Sequence, residues 1–166
     1  MASRRKSREL ALQMLFQWEV GKHSTAHVIA TFLNPKEAEG TVNSFARDLF
    51  LGTVDEIPVL DPKLRETAKN WRLEHMGAID RNVLRLALFE LIHFPQNPPA
   101  VVINEALEIA RRFSGEESAE FVNGVLDAVR KALPIDGAAA DPKPVSPAVK
   151  TPATQQGKRA KRSKDN

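Results

Sequence analysis

Residues 99–129 read PAVVINEALEIARRFSGEESAEFVNGVLDAV, and this stretch decides the fold. Two segments with apolar residues at helical spacing follow one another here, and Ser114 and Glu117 between them have the spacing of a capping box. The pair Asn123-Gly124 usually signals a turn, but it falls inside the second apolar period. The stretch therefore predicts a helical hairpin. Its predicted inward-facing residues are Val102, Ile103, Ala106, Leu107, Ala110, Phe121 or Val122, Val125, Leu126 and Val129.

Five more helices are predicted before the hairpin. The first covers residues 3–20, with Trp18 as a core or interface anchor and Gly21 as its stop. A short helix follows at residues 25–33. The core stripe of the first helix also contains Leu10, Ala11, Met14 and Leu15.

Prolines divide the next segment into two predicted helices. An apolar face begins at Val42, and Pro58 is predicted to end that helix. Asp61 then stands as an N-cap before Pro62, because proline at the first helical position loses no hydrogen bond. A fourth helix is therefore predicted to run to about Trp71, a second core or interface anchor.

The helix at residues 79–94 is apolar around most of its circumference, as expected of a helix packed on several sides. We place it at the centre of the fold. Because no segment of useful length alternates with the period of a strand, the chain predicts an all-α bundle of about seven helices. Arg85 lies within this apolar helix, so it needs either an internal carboxylate or an anionic ligand.

Composition limits the class of protein. The 166 residues are 42% hydrophobic and 27% charged, which suits one globular domain, and they include no cysteine, which excludes disulfides and thiolate sites. No apolar run reaches the ~18 to 20 residues of a membrane span, and the N-terminus lacks a secretory signal pattern. We expect a cytoplasmic protein without a membrane partner.

Both ends of the chain are basic. Residues 1–8 carry a charge of +4, residues 141–166 carry +5, and a total of +3 leaves the remainder at −6. Residues 136–166 are rich in Ala, Pro and Lys, and this composition cannot bury enough surface to offset chain entropy. We therefore expect a domain at 1–135 and a disordered tail at 136–166, whose charge serves either polyanion contact or solubility alone.

Nothing in the sequence indicates catalysis. His23 and His27 have the spacing of a metal-binding pair on a helix, but no third ligand is evident nearby, and exposed histidines explain them better. Glycine-rich phosphate loops, nucleophile elbows and HExxH motifs are absent. The sequence predicts neither an enzyme nor a cofactor or metal site.

The first helix instead carries a pattern typical of RNA binding. Arg5, Arg8, Leu12 and Phe16 follow one line of the helix, so basic residues are succeeded by an aromatic ring. Single-stranded RNA is bound by this combination, because guanidinium groups contact phosphates and rings stack on bases. The alternative is that the cations only solvate the helix start while Leu12 and Phe16 pack against a neighbouring element.

Four motifs together resemble the NusB family. They are RRKSRELALQMLF at residues 4–16, AIDRNVLRLALFEL at 78–91, VINEALEIARRF at 102–113 and SAEFVNGVLDAV at 118–129. The resemblance runs from Ser3 to Leu133 in the order and spacing of the family, and it does not cover the basic tail.

The resemblance implies a two-subdomain helical fold that binds the boxA RNA of ribosomal RNA leaders together with NusE, a small-subunit ribosomal protein. With other Nus factors and RNA polymerase, the pair would resist transcription termination. Lys6 stands where arginine is often found, and Phe16 where tyrosine is frequent. The RNA-binding residues implied by position are Arg4, Arg5, Lys6, Arg8, Phe16, Asp80, Arg85, Glu117 and Phe121.

Two other functions remain open at this stage. The chain could be an RNA-binding accessory domain like that of certain ribosomal RNA methyltransferases, although no glycine-rich cofactor domain for methyl transfer follows. It could also be a protein-binding helical adaptor whose basic ends only confer solubility. The sequence leaves open the RNA bases recognised, the helices that meet NusE, and the choice between a monomer and a homodimer.

Overall fold

The computed structural model describes residues 3–36, 42–68 and 72–133. Those ranges contain six α-helices and one 3₁₀ turn, and no strand. No helix within them is long and apolar enough to cross a membrane. The expected tail at 136–166 and the anchor role of Trp71 lie outside the described residues. The helices are α1 (Ser3–Gly21), α2 (Thr25–Phe32), α3 (Val42–Thr67), α4 (Ala78–His93), α5 (Pro99–Ser114) and α6 (Glu116–Ala132), with the 3₁₀ turn at Leu73–His75.

Helix α4 lies at the centre, as its all-round apolar pattern predicted. Every residue from Asn82 to Leu91 is buried, and α4 contacts α1, α3, α5 and α6. Helices α1 and α3 pack together with α2 against α1, and α5 and α6 form the predicted hairpin. Trp18 is half-buried against the core, in agreement with its predicted anchor role.

Helix α3 corrects the prediction of two helices separated by prolines. It runs without interruption through Pro58 and Pro62, and it ends at Thr67. Both prolines are exposed and lie one turn apart, so the carbonyls that they leave unbonded are on the solvent side. The buried face continues across them through Leu60 and Leu64, so packing outweighs the local preference for a break.

The hairpin connection corrects the predicted capping box. Ser114 is the last residue of α5, Gly115 alone connects the two helices, and no side chain caps the start of α6. Gly115 has φ of 107°, a left-handed conformation that glycine adopts without strain. Its N–H closes α5 by donating to the carbonyls of Ala110 and Arg111. The pair Asn123-Gly124 lies inside α6, as predicted.

Candidate nucleic-acid interface

Three exposed basic residues, Arg4, Arg5 and Lys6, stand at the start of α1. The Arg4 guanidinium donates to Asn97 Oδ1 over 3.0 Å and lies 4.9 Å from the centre of the Phe45 ring. Lys6 has no carboxylate partner among the residues that the structure describes. Arg4 and Lys6 therefore present positive charge that no carboxylate of the described residues neutralises.

Arg5 is different, because Glu105 on α5 already binds it. Arg5 Nε donates to Glu105 Oε2 over 2.7 Å, and Arg5 Nη2 donates to Glu105 Oε1 over 3.0 Å. The arginine lowers the pKa of Glu105, chiefly through these hydrogen bonds, and the pKa of Arg5 is raised in return. Both charges of this pair are present at neutral pH.

A groove of about 750 Å³, here called the N-terminal groove, lies between the start of α1 and α5. Arg112 forms its far wall, and Arg112 Nη1 donates to Glu9 Oε1 over 2.9 Å. Sequence reasoning missed Asn97, Glu105 and Arg112, since they come from a distant part of the chain. The groove is lined by Arg4, Arg5, Lys6, Arg8, Glu9, Asn97, Pro98, Val101, Glu105 and Arg112.

Arg8 does not continue the exposed basic line that was predicted along α1. Its side chain is 5% exposed, and its Nε donates to both Glu90 carboxylate oxygens over 2.9 and 3.0 Å. Leu12, the next residue on that line, is also buried. Of the two interpretations that the sequence left open for this line, Leu12 follows the one in which it packs inside the protein, and Arg8 is held by Glu90 of α4.

Arg85 is likewise buried and paired inside the protein, at 8% exposure. Its Nε and Nη2 donate to the two carboxylate oxygens of Asp61 over 2.8 and 2.7 Å, and its Nη1 donates to Glu19 Oε2 over 3.1 Å. Of the two partners that the sequence left open, the internal carboxylate is present. Neither Arg8 nor Arg85 offers a free guanidinium to an RNA phosphate.

Glu19 joins the far end of α1 to the start of α4. It accepts hydrogen bonds from Arg81, Asn82 and Arg85. Arg81 also donates to the carbonyl of Met76 over 2.9 Å, so the same contacts hold the segment before α4. Since Arg8 pairs with Glu90 at the opposite end of α4, helices α1 and α4 run antiparallel.

Phe16 lies one turn before Glu19, toward the end of α1 that meets the start of α4. It is half-buried, and it is not among the half-buried apolar side chains that pack against the core. The structure thus leaves part of this ring at the surface. Phe16 is about 16 Å along the helix from Arg5, at ~1.5 Å per residue.

A second groove, here called the α6 groove, lies at this same end of the molecule and has a volume of about 1120 Å³. It brings together Asp80, Glu117 and Phe121, three residues predicted from the resemblance. Asp80 Oδ2 accepts from the Ser118 hydroxyl over 3.2 Å, which fixes the start of α6 beside the start of α4. The other lining residues are Thr67, Ala68, Arg72, His75, Met76, Gly77, Ser118, Glu120, Gly124 and Val125.

The α6 groove has the chemistry of a base-binding surface. Phe121 is half-buried in its wall, and carboxylates of Asp80 and Glu117 stand beside it. Asp80 Oδ1 is buried and accepts no hydrogen bond from the described part of the chain. An aromatic face next to hydrogen-bond acceptors suits an unstacked base with amino groups. Sequence reasoning missed Arg72 and His75, whose positions depend on the turn before α4.

No metal site accompanies these grooves. The rings of His23 and His27 are 4.6 Å apart, and within the described ranges no group of three or more metal-ligating side chains occurs. The nine predicted residues thus fall into three sets. Arg4, Arg5 and Lys6 line the N-terminal groove, Asp80, Glu117 and Phe121 line the α6 groove with Phe16 at the same end of α1, and Arg8 and Arg85 are buried in ion pairs.

Comparisons with known proteins bear on the family and the fold. The model of the NusB family matches residues 5–131. A relative from Koribacter versatilis, named transcription antitermination protein NusB, is 53% identical over 132 residues, which are 79% of this chain and 90% of that protein.

Two solved structures share the fold. NusB from T. maritima is 32% identical, with a TM-score of 0.71, over 77% of this chain and 90% of that chain. A chain from the crystal structure of the antitermination factors NusB and NusE in complex with dsRNA is 25% identical, with a TM-score of 0.70. That match covers 80% of this chain and 99% of the other.

Proposed function

Because this chain belongs to the NusB family, we propose that it is a transcription antitermination factor that acts by binding RNA together with NusE. Its relatives are named for antitermination, and a similar chain was solved with NusE and RNA. The chain works by assembly and is not an enzyme. The residues that carry this role are Arg4, Arg5 and Lys6 in the N-terminal groove, Asp80, Glu117 and Phe121 in the α6 groove, and Phe16 on α1.

The division of charge and aromatic surface between the grooves is the observation that carries the proposal. Arg4 and Lys6 present cations at the N-terminal groove, and Phe16 lies about 16 Å along α1 from Arg5. Phe121 lies in the α6 groove, where the carboxylates of Asp80 and Glu117 stand beside it. Phosphate contacts give RNA affinity without sequence preference, and base contacts give the preference. A single strand that spans both grooves receives each kind of contact.

Each group has a distinct role in this scheme. Arg4, Arg5 and Lys6 bind phosphates. Arg4 and Lys6 do so without losing a carboxylate partner. Phe121 and Phe16 offer faces for stacking, worth ~1 to 3 kcal/mol per base. Asp80 and Glu117 accept hydrogen bonds from amino groups on base edges. Arg8 and Arg85 hold the helices in position and do not contact RNA.

The experiment compares a short boxA-like RNA with a scrambled RNA of equal length, each titrated with and without NusE at two salt concentrations. We expect the boxA-like RNA to bind more tightly, with a larger difference when NusE is present. Affinity should fall as salt rises, because phosphate contacts release counterions. Equal affinity for both RNAs in the presence of NusE would contradict the proposal and favour the protein-binding adaptor.

The assembly requires further partners. We propose that other Nus factors and RNA polymerase receive the complex of this chain with NusE and RNA in the cytoplasm. A pull-down of RNA polymerase by the boxA-like RNA, with and without this chain, tests that step. A homodimer is a second assembly compatible with the sequence, and measuring the mass in solution with and without RNA decides between monomer and dimer.

A further inference from the structure

Arg5 and Glu105 form an ion pair with unequal exposure. The Arg5 side chain is 53% exposed, whereas that of Glu105 is 16% exposed. The arginine thus lies at the surface of the N-terminal groove, and the carboxylate binds it from the groove wall. Both hydrogen bonds run from one edge of the guanidinium, through Nε and Nη2.

This edge of a guanidinium also binds phosphate, because two parallel N–H groups fit two oxygens of either anion. An RNA phosphate that approaches this edge of Arg5 therefore meets a position that Glu105 already fills. The neighbouring Arg4 and Lys6 differ, since Arg4 donates to the uncharged amide of Asn97 and Lys6 is without a carboxylate partner in the described ranges.

We propose that Glu105 occupies the place of an RNA phosphate on the Nε and Nη2 edge of Arg5 in the free protein, and that RNA must displace it to bind this edge. This inference rests on the proposed RNA-binding function. It makes Glu105 a specificity-determining residue, although Glu105 itself contacts no RNA.

The exchange reduces what Arg5 contributes to non-specific binding. An unpaired cation that meets a phosphate releases counterions condensed on the RNA, which favours binding, whereas Arg5 leaves the charge of Glu105 unneutralised when it makes the same contact. Glu105 then loses its partner while it remains mostly buried, which opposes the exchange. An RNA held by base contacts in the α6 groove can offset that cost, but a strand held by phosphates alone has no such compensation.

The test is Glu105→Gln, which removes the competing charge and retains the shape of the side chain. Glu108→Gln is the matched control, because Glu108 lies one turn further along α5 and pairs with Arg111, which does not line the groove. Each variant is titrated with the boxA-like and the scrambled RNA over a range of salt concentrations. Thermal unfolding of both variants verifies that they are folded.

We expect Glu105→Gln to bind the scrambled RNA about fivefold more tightly, near the upper end of what one exposed ion pair contributes. Its plot of log affinity against log salt should steepen by about 0.7, the value for one phosphate contact to a single strand. The affinity for the boxA-like RNA should increase less, so discrimination between the two RNAs falls. Glu108→Gln should leave both affinities within about twofold.

A variant carrying both Arg5→Ala and Glu105→Gln tests whether the increase in RNA affinity depends on Arg5. In the absence of Arg5, Glu105→Gln should increase the affinity for the scrambled RNA no more than Glu108→Gln does. Equal effects of Glu105→Gln and Glu108→Gln, or a persistent gain in the absence of Arg5, would overturn the inference and leave only a general effect of net charge. Failure of the wild-type chain to distinguish the two RNAs is a separate result, and it contradicts the proposed function.

Discussion

Arg8 on α1 and Glu90 on α4 are 82 residues apart in the chain, yet their side chains form a nearly fully buried ion pair. Asn97 joins them, because its Nδ2 donates to Glu90 Oε1 over 3.1 Å while its Oδ1 accepts from Arg4. The buried pair thus stands behind the exposed cations of the N-terminal groove. The stability of the fold and the binding of RNA consequently depend on neighbouring arginines that sequence alone would treat as equivalent.

Arg8→Ala should destabilise the protein by about 3 to 5 kcal/mol, because it leaves the charge of Glu90 buried without its partner. Chemical unfolding monitored by circular dichroism measures the change. Arg4→Ala is the control, since its exposed side chain donates to one neutral amide. Equal stability losses for the two variants would contradict the assignment of Arg8 to the buried pair.

Replacing both Arg4 and Lys6 by alanine should weaken RNA binding and leave unfolding nearly unchanged. Each lost phosphate contact lowers the salt dependence of log affinity by about 0.7 for a single strand. Salt titrations of the RNA complex measure the slope. A variant carrying both Lys22→Ala and Lys36→Ala provides a charge-matched control from the connections after α1 and α2, and a similar loss in that variant would indicate a non-specific effect of charge.

Gly124→Trp should block the α6 groove without disturbing the fold. A Cβ at Gly124 meets no atom within 4 Å, and the residue lines the groove. RNA affinity should therefore fall while helix content is retained. Asn123→Trp is the matched control, because Asn123 is the exposed neighbour that does not line the groove. If both tryptophans have the same effect on RNA binding, the α6 groove is not the binding surface.

Gly52→Ala and Gly124→Ala should change stability in opposite directions. A Cβ at Gly52 would overlap the far end of the buried Phe89 ring, so this ring or the two helices would have to move, at about 1 to 3 kcal/mol. Alanine at Gly124 meets no obstacle and favours the helix by up to about 1 kcal/mol. Urea unfolding measures the free energy of unfolding of each variant. Destabilisation by Gly124→Ala would show that this site is more crowded than the structure indicates.

The Arg5 and Glu105 pair should weaken on acidification. Arg5 lowers the pKa of Glu105 in the folded chain, so the pair contributes stability above the ordinary carboxyl pKa of about 4.5 and loses it as the pH falls below that value. The stability difference between wild type and Glu105→Gln should therefore shrink from pH 7 to pH 3. Melting temperatures of the two proteins across this pH range test the prediction. A stability difference that grows toward low pH would contradict it.

Apolar periodicity predicted much of the fold because it records burial directly. The α5 and α6 hairpin, the central position of α4 and the helical Asn123-Gly124 pair all followed from it. The prolines of α3 were misread, since a local rule cannot weigh the packing of Leu60 between them and of Leu64 after them. The position of Gly115 was missed for a similar reason, because a single residue with positive φ replaced the expected cap.

The candidate site was predictable in its residue types but not in its contacts. Periodicity placed Arg5 and Arg8 on one line of α1. In the structure, Arg5 forms a partly exposed ion pair with Glu105, whereas Arg8 forms a buried ion pair with Glu90. Those carboxylates come from distant segments, and only the packing of α1 against α4 and α5 brings them close. Arg85 shows the same limit, because Asp61 comes from a helix that the sequence had divided.

Helix α1 is held at both ends by side chains of α4, through Arg8 to Glu90 and through Glu19 to Arg81. The distance between the cations at its start and Phe16 near its end is therefore constant, with no hinge between them. An RNA strand has to match this fixed separation with its own nucleotide count. Recognition would then be sensitive to the length of RNA between the phosphates and the stacked bases, so that one inserted nucleotide weakens binding even when every contacted base is retained.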